Sequence, residues 1–166
     1  MTPINLSAWV EEHRHLLKPP VGNKLIWENR EFMVFIVGGP NTRSDYHINQ
    51  GEEFFYQIEG EIELRIIAEG KPEGIKIKAG EIFLLPPRVP HSPQRPANTV
   101  GLVLERKRHP NELDGFVWFC DQCGERLHQE NVLVTDIVKD LPPVFQKFFS
   151  DPALCTCKKC GHRLTP

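Results

Sequence analysis

Residues 5–17 (NLSAWVEEHRHLL) set Leu6, Trp9, Val10, His13, Leu16 and Leu17 at helical spacing, which predicts one short N-terminal helix. Asn5 or Ser7 can cap it, because a short polar side chain accepts hydrogen bonds from the free N–H groups of a first turn. Pro19-Pro20 stops the helix. From Lys24 to Pro110 the pattern changes to strands: LIWEN, EFMVFIVGG, EEFFYQIEG, EIELRIIAEG, GIKIKAG, EIFLLPP and VGLVLER. Apolar and polar residues alternate from Glu61 to Ile66, the period-2 mark of a half-buried strand. Gly60, Gly70, Gly74, Gly80 and Gly101 fall between or within these runs as turn signals. Nothing helical interrupts the stretch, so an antiparallel sandwich or barrel is expected rather than a βαβ fold. Beyond Pro110 come FVWFCDQCGE, a helical pattern around Val132 to Ser150 interrupted by Pro142-Pro143, and CTCKKCG.

Composition narrows the picture. The 166 residues suit one domain with a small appendage, and 15 prolines with 12 glycines favour many short strands and tight turns. A net charge of −2 leaves no basic excess to neutralise a phosphate backbone, which argues against a nucleic-acid partner. The longest apolar stretches, such as Phe32 to Val37, fall far short of the ~20 residues that span a bilayer. Met1 to Arg14 lacks the basic-then-apolar order of a secretory leader, and a cytoplasmic protein with no membrane partner is expected. Four of the five cysteines form two Cys-x-x-Cys pairs, which in that compartment read as metal ligands before disulfides.

Candidate chemistry gathers in two strand-region segments. In GPNTRSDYHINQGEEFFYQIEG (39–60), His47 and Glu53 flank a turn at Asn49-Gln50-Gly51, so neighbouring strands can aim both into one cavity. In GEIFLLPPRVPHSPQR (80–95), His91 follows a turn after Pro86-Pro87. Two histidines and one carboxylate form the facial triad of non-haem Fe(II) oxygenases, which leaves one octahedral face open. Singly, each residue has an ordinary reading as a surface or hydrogen-bonded group; the spacing of the set gives it weight.

That spacing resembles the paired motifs of the cupin superfamily, small jelly-roll barrels that hold a metal inside. The first motif is matched by His47, Glu53 and Gly60, and the second by Gly80, Pro86 and His91. Asn49 stands where cupins carry a second histidine, Arg88 where they carry glycine, and Arg95 where they carry asparagine. DYHINQGEEFFYQIEG, LLPPRVPHSPQRP and the cysteine tail together resemble the bacterial 3-hydroxyanthranilate dioxygenase family, with similarity from residue 19 through Cys160. The resemblance implies a mainly β fold: a cupin barrel over 1–110 with a short N-terminal helix, and a C-terminal metal-binding extension over 111–166. It implies catalytic Fe(II) on His47, Glu53 and His91, with Glu53, Arg95 and Glu105 at the substrate and Arg43 at dioxygen. The implied reaction is extradiol-type ring cleavage of a small aromatic acid by O₂, in a homodimer. Guanidinium forks suit a planar carboxylate, and Arg43 and Arg95 each lie four residues from a candidate histidine. Surface salt bridges are the plain alternative for both arginines, and an exposed Glu105-Arg106 pair for Glu105.

Cys120-x-x-Cys123-Gly124 and Cys157-x-x-Cys160-Gly161 read as two knuckles around one tetrahedral ion, zinc or a second iron. The site resembles the extra iron site of the bacterial enzymes, and a structural staple is its expected role, ahead of electron transfer or metal delivery. Cys155 is left over. A non-catalytic cupin binding a small aromatic acid, a metal-dependent isomerase or decarboxylase, and a zinc-ribbon interaction protein are the rival classes.

Overall fold

The computed structural model describes residues 2–19, 22–27, 30–135 and 137–166. Pro20, the second half of the expected helix stop, and Glu28-Asn29 at the end of LIWEN lie outside them. The N-terminal helix α1 runs over Leu6–His13 and continues as a 3-10 turn to Leu16. Of the two candidate caps it uses Asn5, whose side chain accepts from the Ala8 N–H. Val10 and Leu17 bury against Ile36 and Val100 and fix the helix to the barrel.

Eleven strands follow among the described residues: β1 Asn23–Leu25, β2 Phe32–Gly38, β3 Asp45–Ile48, β4 Glu53–Glu59, β5 Glu61–Ala68, β6 Lys71–Lys78, β7 Ile82–Leu85, β8 His91–Gln94, β9 Val100–Arg106, β10 Asp114–Phe119 and β11 Arg126–Val132. They form two antiparallel sheets, ordered β1-β2-β9-β4-β7 and β11-β10-β3-β8-β5-β6. This is the expected mainly β barrel. Side chains of Phe55, Ile62, Leu64, Ile66, Ile77, Leu85 and Val103 fill one end between the sheets. Strands β10 and β11, from beyond residue 110, join the six-stranded sheet directly, with β10 paired to β3.

The second helix differs from its expected span. Val132 ends β11, and α2 runs over Ile137–Ser150 straight through Pro142 and Pro143. Pro142 and Pro143 are the sixth and seventh residues of the helix, so each removes an i→i−4 donor, and the later apolar face of the helix compensates. Val144 and Phe148 pack on Trp118 and Phe116, with Phe148 stacked on the Trp118 ring at 4.2 Å. A final turn, α3 (Pro152–Cys155), is capped by the Asp151 side chain. Among the described residues no helix is long and apolar enough to cross a membrane.

Candidate metal centre and substrate cavity

Strand periodicity explains which side chains meet. Alternate residues of a strand face one side of its sheet. Glu53 and Phe55 on β4, His91 and Pro93 on β8, Val103 and Glu105 on β9, and Asp114 and Phe116 on β10 therefore share the inward face with His47 on β3. All but His91 line one cavity of about 130 Å³, together with Asn23, Phe35, Val37, Asn41, Arg43, Arg95 and Arg108. His47 and His91 are directly paired across β3 and β8, and Glu53 and Glu105 across β4 and β9. Every residue the sequence singled out for the barrel site is thus brought to one place.

One ligand-capable atom each of His47, Glu53 and His91 lies within 4.8 Å of the others. The His91 Nδ1 hydrogen donates to the Val89 carbonyl at 3.0 Å, so its Nε2 lone pair is free, and Nε2 faces Glu53 Oε2 at 3.0 Å. That carboxylate oxygen is buried and has no aligned hydrogen bond among the described residues. Burial opposes charge on both groups, but their mutual attraction wins: His91 is drawn up and Glu53 well down. Two basic atoms facing one another at this depth leave a place that a cation completes, so the donor set fits a divalent metal. Burial pushes His47 down toward its neutral form, and its Nε2 hydrogen donates to Asp114 at 2.8 Å, leaving the other ring nitrogen with a lone pair. Phe116 stacks on the same ring at 5.3 Å.

The polar groups around this centre divide by partner. Arg43 pairs with buried Asp45 at 2.5 Å. Arg95 is 3% exposed, and its Nη1 has no hydrogen-bond partner among the described residues. Burial lowers its pKa to about 10, with only the Glu53 charge countering. Gly101 makes the room, since a Cβ there would lie 2.8 Å from Arg95 Nη1. Neither arginine is a plain surface ion pair. Glu105 is pushed up to about 7, chiefly by burial and by the Glu53 charge. Its partners are Asn49 Nδ2 at 2.5 Å and Arg108 Nη1 at 2.7 Å, whereas Arg106 turns away to Glu112.

The three departures from the cupin pattern have local reasons. Asn49 uses its amide to hold Glu105 and its oxygen to accept from the Gly51 N–H. Arg88 adopts φ +64°, the left-handed conformation for which glycine is the usual choice. Arg95 supplies the buried cation. Sequence reasoning missed Asn23, Arg108 and Asp114. The ERKRHP cluster at the end of β9 was the one visible signal for Arg108.

The cysteine centre forms from two matching turns. The Gly124 N–H donates to the Cys120 carbonyl and the Gly161 N–H to that of Cys157, with both glycines at positive φ. Sulfurs of Cys120, Cys123, Cys157 and Cys160 lie within 4.8 Å of one another, with the Cys120–Cys160 and Cys123–Cys157 pairs at 3.6 Å. That separation is far beyond a disulfide and close to the ~3.8 Å edge of a tetrahedron with ~2.3 Å metal–sulfur bonds. Backbone N–H groups of Cys160 and Lys159 draw Cys157 down to about 7, which favours the thiolate that a metal needs. Cys155 stands apart, buried with Trp118 and Phe148 in the apolar cluster beneath.

A β-barrel that converges two histidines and a glutamate on its interior is a cupin with a donor set that fits a metal. Known proteins narrow this. The sequence profile of 3-hydroxyanthranilic acid dioxygenase matches residues 1–149. A 3-hydroxyanthranilate 3,4-dioxygenase of Xanthomonas euvesicatoria is 56% identical over 96% of this chain and 90% of its own. The enzyme so named in Burkholderia lata is 51% identical, over 97% and 93%. The chain therefore belongs to the 3-hydroxyanthranilic acid dioxygenase family. Among solved structures, a cupin-2 domain protein of Shewanella frigidimarina superposes with a TM-score of 0.51 at 18% identity, covering 63% of this chain and 94% of its own. That likeness supports the fold.

Proposed function

We infer that this chain is a ring-cleaving dioxygenase that converts 3-hydroxyanthranilate and O₂ to 2-amino-3-carboxymuconate 6-semialdehyde, which closes to quinolinate. The observation that carries this reading is a buried guanidinium with an unpartnered donor, Arg95, lining the cavity of the His47–Glu53–His91 set. A buried cation with an unpartnered donor is costly, and an aromatic carboxylate supplies the partner. Phe35, Phe55, Val103 and Phe116 give the ring apolar walls. Glu105 accepts a hydrogen bond from the substrate's amine or phenol, and Arg43 serves the dioxygen end. His47, Glu53 and His91 would hold iron(II), which would supply an electrophilic centre for substrate and O₂. Both oxygen atoms enter the product, so the reaction needs no external reductant. A cytoplasmic homodimer belongs to the same reading, and exposed Ile82 and Leu84 on one face of β7 offer an apolar strip for a second copy.

The direct test incubates Fe(II)-loaded protein with 3-hydroxyanthranilate, following O₂ consumption and product absorbance together. Equal uptake and product formation is the expected result. Binding without O₂ uptake would make the chain a non-catalytic cupin.

For the cysteine centre we propose a structural iron or zinc that staples the tail to β10. Replacing Cys120 and Cys123 with serine is expected to release that metal and lower the melting temperature, with ring cleavage retained in the folded fraction. Metal analysis, calorimetry and turnover on one preparation check this. Lost turnover in a folded variant with its catalytic iron in place would favour electron transfer or metal delivery.

A further inference from the structure

Arg108 lies in the loop between β9 and β10, and its side chain lines the cavity although its neighbours Lys107 and His109 are exposed. Its Nη1 donates to Glu105 at 2.7 Å. Its Nη2 and Nε donate to Asp114, at 2.7 Å and 3.1 Å. The two carboxylates belong to different sheets, Glu105 to β9 and Asp114 to β10. Asp114 in turn accepts from His47. One guanidinium fork thus ties the sheets together where a candidate substrate contact and a candidate metal ligand both stand.

We propose that Arg108 is a positioning residue that fixes the Glu105 carboxylate for its contact with the substrate. The inference rests on the ring-cleaving reading and deepens it. Glu105 has three rotatable side-chain bonds, and its oxygens are held from two sides, Oε2 by Asn49 and Oε1 by Arg108. Each oxygen still has lone-pair capacity for a substrate N–H or O–H. Without Arg108 only Asn49 orients the group. Asp114 matters as the anchor: its contacts at Nη2 and Nε hold the guanidinium plane and leave Nη1 directed at Glu105. A lysine can carry the charge but not the fork, since an ammonium has no planar set of donors.

A mutant cycle in kcat/KM separates positioning from general support of the fold. Arg108→Met is expected to lower kcat/KM about 10- to 50-fold with iron content at the wild-type level, because misplaced contacts cost rate steeply. In a Glu105→Gln background the same change is expected to cost less than about 3-fold, since the group it positions is gone. Arg108→Lys is expected to recover part of the loss, and it carries the same comparison if Arg108→Met does not fold. Wild-type kcat/KM in Arg108→Met, losses that multiply in the double variant, or a loss accounted for by missing iron would each overturn the proposal. An iron-loaded wild type that takes up no O₂ overturns the ring-cleaving reading and this inference with it. An active wild type beside unaffected variants removes Arg108 alone.

Discussion

Alanine at His47, Glu53 or His91 is expected to leave no measurable ring cleavage, while the metal on the cysteines stays bound. Three neutral or anionic donors within 4.8 Å of one another form the smallest facial set that holds a divalent ion and still leaves coordination positions open. Removing one leaves two, and the loss of affinity empties the site at ordinary metal concentrations. The four cysteines come from the turn after β10 and from the C-terminal tail, and they share no donor with this set. Metal analysis beside O₂-electrode assays on each single variant checks both halves. Full activity in all three variants would show that the ligands lie elsewhere.

Arg95→Ala is expected to leave iron content unchanged and to lower kcat/KM for 3-hydroxyanthranilate by about 10- to 100-fold or more. A hydrogen bond to a charged group contributes roughly 1.5–3 kcal/mol, and 1.4 kcal/mol is about tenfold in rate. The deficit should be much smaller for an aminophenol lacking the carboxylate, since nothing there engages the guanidinium. Stability is expected to hold or rise, because the change removes a buried cation whose Nη1 has no partner among the described residues. Loss of function without loss of stability is the signature of a group kept for its ligand. Equal losses on the two substrates would show that Arg95 does not read the carboxylate.

Much of the barrel was legible because strands buried on one face alternate. β5 is the clearest case, running Glu-Ile-Glu-Leu-Arg-Ile with its apolar residues buried. The site strands were harder. β3 (DYHI) and β8 (HSPQ) are four residues each, and histidines hold inward positions, so the apolar period is hidden. Their histidines stood out through motif spacing instead. β10 failed for the opposite reason: Asp114 to Trp118 is buried on both faces and shows no alternation. The Cys-x-x-Cys-Gly turns were readable because their geometry is local. Asp114 was not, because its contact with His47 spans 67 residues and leaves no local trace; Arg108 showed only as one of several charges in ERKRHP, with nothing in the run to say which turns inward.

The pairing of β10 with β3 bears on how the chain can be shortened. A fragment ending near residue 110 would keep all three candidate iron ligands, yet it would strip the partner from one side of the strand that bears His47. An unpaired sheet edge invites other chains to dock on it, so such a fragment should self-associate rather than serve as a minimal enzyme. Trimming the tail beyond β11 is the milder cut: it sacrifices the cysteine centre and uncovers Trp118, but the ladder beside His47 survives.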